Sequence, residues 1–156
     1  MNKDLQIAKR TVQAEIQALK KLSLSFNRSS HFSNAVNLLS KMKGKCLVVG
    51  VGKSYLVSLK VSATLSSLGT PSVAFSANDL QHGGLGAVQK NNDALLIFSV
   101  SGESSELNSI LRYANRHNIP IVGVSCKATS MLLRYSTIKI LLPKVVEAGH
   151  SLAPTS

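Results

Sequence analysis

The chain has 156 residues, of which 44% are apolar and 16% charged. That is one domain's length, with enough apolar material to bury a core rather than stay disordered. Aromatic residues make up 4% with no tryptophan, and Cys46 and Cys126 are the two cysteines. This excludes a disulfide framework and a cysteine-rich zinc site, and fits a reducing, cytoplasmic location. Lysine and arginine number 18 against 7 acidic residues, a formal charge of +11. The cations are scattered, mostly lysines, without zinc-finger spacing, an RNP signature or a basic heptad, so no specific nucleic-acid partner is expected. Neither is a membrane partner: no apolar run reaches the ~18 residues a span needs, and Met1-Asn2-Lys3-Asp4-Leu5 is not the start of a secretory signal.

Residues 1–43 read as a helical segment. Leu5, Ala8, Val12, Ile16 and Leu19 recur at three- and four-residue steps, which places them on one apolar face. Asn27-Arg28-Ser29-Ser30 is a break, and Phe32, Val36 and Leu39 open a second amphipathic stretch. From residue 44 to 156 the texture is that of an α/β domain. Short apolar runs at 46–49, 72–75, 94–98, 121–124 and 138–142 predict five strands, with helices near 54–68, 103–117 and 129–135 between them. Strands alternating with helices imply a parallel sheet, and the nearly continuous apolar character of the central runs implies cover on both faces. Ligands bind such sheets at the carboxyl ends of the strands. The loops to inspect therefore start at Gly50, Ser76, Ser99, Ser125 and Pro143.

Gly50-Val51-Gly52-Lys53-Ser54 is a glycine turn but neither a Walker A loop nor a dinucleotide fingerprint: where the first needs a glycine five positions before Gly52 stands Leu47, and where the second needs its third glycine stands Tyr55. It places Lys53 at a strand end and Ser54 at a helix start, as phosphate ligands or as a solvated lysine and an N-cap. Ser99-Val100-Ser101-Gly102-Glu103-Ser104-Ser105-Glu106 follows the most apolar strand. Its hydroxyls and backbone N–H groups suit a phosphate monoester, and the serines and glutamates also suit a helix start. Asp79-Leu80-Gln81-His82-Gly83-Gly84-Leu85-Gly86 presents a histidine among glycines, and Glu147 follows the last strand beside further hydroxyls. Each reads as an acid–base candidate or as a surface residue.

In this order, Gly-Val-Gly-Lys-Ser, Ala63 to Pro71, His82 to Gly86, Ser-x-Ser-Gly-Glu-Ser-Ser-Glu, Glu147-Ala148 and Leu152-Ala153-Pro154-Thr155-Ser156 resemble the SIS (sugar isomerase) domain of arabinose-5-phosphate isomerases of the KpsF/GutQ type. The resemblance covers about residues 40–156. It implies a flavodoxin-like five-stranded parallel sheet flanked by helices. It also implies interconversion of D-arabinose 5-phosphate and D-ribulose 5-phosphate through an enediol, in supply of the Kdo sugar of lipopolysaccharide. Ser54, Ser99, Ser101 and Ser104 match the family's phosphate ligands. Lys53, Glu106 and Glu147 match its catalytic lysine and glutamates, and His82 matches a histidine linked to inhibitory zinc. No cofactor is implied, and the family's usual assembly implies a homo-oligomer, a dimer or tetramer.

The chain departs from the family in four places. Tyr55-Leu56-Val57-Ser58 stands where Gly-His-Ile-Gly is usual, and Gly84 stands where the family has an aspartate. The run Gly149-His150-Ser151 is one residue short. The sequence reaches Ser156 before the family's last helix, its Ser-His-Pro-Gly-Gly segment and its CBS domains, so these are expected to be missing. The sheet face that the helix covers is then expected to favour self-association. The alternative reading is a non-catalytic sugar-phosphate-binding module, or an inactive remnant.

Overall fold

The computed structural model describes residues 2–26 and 30–145. They fall into two compact units, one running from His31 to Leu141 and the other containing the first helix. In the latter, α1 spans Lys3–Phe26 and none of its residues is buried. Its apolar face, including Leu5, Val12 and Leu19, is exposed.

The larger unit runs α2 (His31–Lys41), β1 (Cys46–Gly50), α3 (Lys53–Ser67), β2 (Ser72–Ser76), α4 (Ala77–Gln81), β3 (Ala94–Phe98), α5 (Leu107–Arg116), β4 (Ile121–Ser125), α6 (Met131–Tyr135) and β5 (Ile138–Leu141). The five strands form one parallel sheet in the order β2-β1-β3-β4-β5. All five residues of β1 and of β4 are buried, and so is β3 up to Phe98, whereas the edge strand β2 is half-buried. This is the distribution expected when helices cover both faces of the centre.

Alternation along the strands assigns each helix to a face. Leu47, Val49, Leu95, Ile97 and Ile121 form one core with Leu80 of α4, Leu107, Ile110, Leu111 and Ala114 of α5, and Leu132 of α6. Gly50 points the other way: a Cβ there would fall 2.5 Å from the Ser54 backbone, so the first turn of α3 lies directly on the sheet. Serine makes this approach possible. The residues of α3 that are buried are Ser58 and Ser62, and the Ser58 hydroxyl donates to the Ser54 carbonyl at 2.9 Å. The larger Leu56, Val57 and Leu59 face outward and are exposed.

The amino ends of β1 and β3 are tied by Asp93, whose side chain is fully buried. Its carboxylate accepts from the Lys45 N–H at 2.8 Å, the Gln89 N–H at 2.8 Å and the Lys45 ammonium at 2.9 Å. Burial pushes this carboxyl up, but the bonds from Gln89 and Lys45 outweigh it and hold the group below the usual range.

Two boundaries differ from the sequence expectation. The stretch 79–86, read as a loop, contains the end of α4 and a 3-10 turn at Gly84–Ala87. Helix α5 begins at Leu107 rather than near 103, since residues 103–106 still belong to the loop and its closing turn.

Candidate functional site

The strand order reverses between β1 and β3. Gly50 of β1 is paired with Phe98 of β3, so the loops that follow leave neighbouring strands at the same level. One continues into α3 on one face of the sheet and the other into α5 on the opposite face. Such a divergence opens a crevice at the carboxyl edge of the sheet.

On the β1 side the chain turns at Gly52, with φ +55 and ψ −123, a conformation that favours glycine. The Ser54 N–H donates to the Val51 carbonyl at 3.1 Å and the Tyr55 N–H to the Gly52 carbonyl at 3.0 Å. The N-cap is thus Gly52 and makes no side-chain cap bond. This corrects the capping alternative for Ser54, which lies inside the first turn and is half-buried. Lys53 is the first residue of the helix and is exposed.

On the β3 side, Ser99 is buried and its hydroxyl serves the loop itself. It accepts from the Gly102 N–H at 3.0 Å and lies 3.4 Å from the Ser104 hydroxyl. Ser101 is exposed and its hydroxyl accepts from the Glu103 N–H at 3.3 Å. Ser104 is half-buried. Glu106, at the N-cap position of α5, accepts from the Ser105 hydroxyl at 3.1 Å. The loop is thus a tight bend that brings the Ser99 and Ser104 hydroxyls together, leaves Ser101 exposed and sets Glu106 at the start of α5.

A third segment shapes that bend: the loop starting at Ser125, in which the sequence singles out no residue. The Val100 carbonyl accepts from the Cys126 N–H and the Ser125 hydroxyl, both at 3.0 Å. The Gly102 carbonyl accepts from the Leu132 N–H at 3.0 Å. Glu103 accepts from the Lys127 ammonium at 2.7 Å and from the Met131 N–H at 3.4 Å. The bond from Lys127 is the main reason that the Glu103 carboxyl lies below its usual range. The available signal was positional: Ser125-Cys126-Lys127 follows the strand next to β3.

Of the two remaining sequence candidates, His82 lies among the described residues. His82 is exposed at the carboxyl end of α4, one residue beyond Gln81, whose side chain accepts from Ser109 of α5 at 2.9 Å. Among the described residues no group of three or more His, Cys, Asp and Glu side chains is placed to hold a metal. Glu147 lies outside the described residues. Among those residues no helix is long and apolar enough to cross a membrane.

Comparison with known proteins adds a family. The SIS domain model matches residues 38–156. The chain is 34% identical over 149 residues to the uncharacterized protein RP505 of Rickettsia prowazekii, covering 96% of this chain and 46% of that protein. It is 32% identical over 160 residues to the arabinose 5-phosphate isomerase KdsD of Francisella tularensis, covering 100% of this chain and 48% of that enzyme. The chain therefore spans about half the length of the curated relatives it matches. Among solved structures, c3406 of E. coli CFT073, in complex with a sugar phosphate, superposes with a TM-score of 0.88 at 29% identity, covering 99% of this chain and 82% of that one.

Proposed function

Since the chain belongs to the SIS domain family, we propose that it binds a sugar phosphate in the crevice between β1 and β3 and acts as an aldose–ketose isomerase. The observation that carries this reading is the pairing of Gly50 with Phe98 at the switch point, which sets the Gly-Lys-Ser turn opposite the serine bend. The KdsD relative and the neighbour with a bound sugar phosphate support arabinose 5-phosphate as the substrate.

The roles follow from the chemistry. The phosphate is received by the hydroxyls of Ser101, Ser104 and Ser54, while Ser99 holds the bend in shape. In the reaction a carboxylate base takes the proton from C2 of the aldose, and the electron pair moves toward the C1 oxygen to give an enediolate. Passage of the O2 proton to O1, directly or through a neighbouring group, and return of a proton to C1 yield ribulose 5-phosphate. Glu106 is our candidate for the base, with Glu147 as its counterpart for the second proton transfer. Lys53 stabilises the enediolate oxygens as charge develops. Phosphate binding remote from the reacting carbons supplies orientation.

The test is a coupled assay of ribulose 5-phosphate formation. Lys53→Ala is expected to lower kcat by about 10²-fold or more, the size typical of a lost transition-state contact. Equal rates for wild type and Lys53→Ala would refute the isomerase reading. If the amide signals of 99–105 still shift on titration with arabinose 5-phosphate, the chain is a binding module without chemistry.

A further inference from the structure

We propose that Lys127 is a positioning residue for the anion-binding bend, and that its task is to neutralise Glu103. The inference rests on the reading of 99–106 as a phosphate loop and concerns how that loop is kept fit for an anion. The bend places a carboxylate between two of its hydroxyl residues, Ser101 and Ser104. A unit negative charge so near a phosphate dianion repels it through the field, whether or not the groups touch.

The structure shows how this conflict is handled. The bend's acceptors are drawn toward the β4–α6 segment: the Val100 carbonyl by Ser125 and Cys126, the Gly102 carbonyl by Leu132, and the Glu103 carboxylate by Lys127 and Met131. These acceptors are thus bonded to the neighbouring segment, and Ser101 stays exposed on the bend. The Lys127–Glu103 pair is solvent-exposed, its side chains 50% and 39% accessible. Ion pairs this exposed contribute little to folding. Charge cancellation beside the anion site is the function that its position supports.

The experiment measures the affinity of the full chain for inorganic phosphate and for D-arabinose 5-phosphate by titration of the 99–105 amide signals. Lys127→Met is expected to weaken both by about tenfold at low ionic strength, the scale of one unpaired charge acting on a dianion across partly screened solvent. The loss shrinks as salt rises toward 0.5 M, where screening shortens the reach of the field. Lys127→Arg keeps the affinity, and the double variant Lys127→Met/Glu103→Gln recovers it, since glutamine still accepts from Met131. A loss independent of salt, or a double variant as weak as Lys127→Met, overturns the inference. So does undiminished affinity in Lys127→Met, while wild-type binding would leave the parent reading standing. A wild type that binds neither anion overturns both.

Discussion

Gly102 is where the fold and the proposed anion site depend on one residue, and Gly102→Ala tests both. Its φ of +63 lies in the left-handed region, where an L side chain costs about 1–2 kcal/mol. A Cβ would also stand 2.5 Å from Ser130 Cβ and Oγ and 2.9 Å from Ser125 Oγ. Neither neighbour yields freely. Ser130 Oγ caps α6 by accepting from the Leu133 N–H at 3.3 Å, and Ser125 Oγ donates to Val100 O at 3.0 Å. Overpacking of this kind costs about 1–3 kcal/mol. The expected loss is thus about 2–5 kcal/mol in a urea unfolding curve, or about 4–20 °C in Tm for a chain of this size. Adding Ser130→Gly removes the nearest obstruction, so in a double-mutant cycle the pair is expected to be less destabilised than the sum of the singles by at least about 1 kcal/mol. Gly52→Ala supplies the contrast. Its φ is +55 but nothing lies within 4 Å of the added Cβ, so its cost is conformational alone and no neighbouring substitution rescues it. A Gly102→Ala loss below about 1 kcal/mol, or strict additivity with Ser130→Gly, would refute the packing argument.

Further outcomes follow from the other groups. Cys46 is fully buried, and burial, reinforced by the charge of Asp93, pushes its thiol up to about 12. The unfolded thiol ionises near 8.5 and the native one does not, so stability is full below that value and falls as pH rises, by about 2 kcal/mol at pH 10. Cys46→Ala is expected to remove this alkaline slope, and an unchanged slope in urea midpoints between pH 7.5 and 10 would count against it. Asp93 has the opposite sign: its carboxyl is held low, so its contribution is present above about pH 4 and is lost as pH falls through the native value. Asp93→Asn is expected to cost about 2–3 kcal/mol at pH 7 and progressively less in acid. A difference from wild type that persists undiminished at pH 2.5 would contradict the assignment. Ile97→Ala, in the fully buried centre of β3, is expected to cost about 3–5 kcal/mol by calorimetry, and a cost under 1 kcal/mol would be inconsistent with that packing.

What the sequence determined is what depends on local pattern. Apolar runs such as Ala94-Leu95-Leu96-Ile97-Phe98 are strands because their residues are covered on both faces. Their alternation with helices was enough to name a parallel sheet, and Gly52 and Gly102 marked turns that other residues enter only under strain. The ordered motifs were enough to name the SIS family. The tertiary structure decided what depends on neighbours far apart in the chain. Serine is a weak signal in a helix, yet Ser58 is buried and Leu56 exposed, because α3 must lie close on Gly50 and only small side chains fit. The split of roles within the bend was equally hidden: Ser99 turns inward to Gly102 while Ser101 faces solvent. Lys127 was one cation among eighteen until the parallel pairing of β3 with β4 brought it to Glu103, 24 residues away in sequence. Charge partners of this kind are set by strand order, which fixes which loops meet at the sheet's edge.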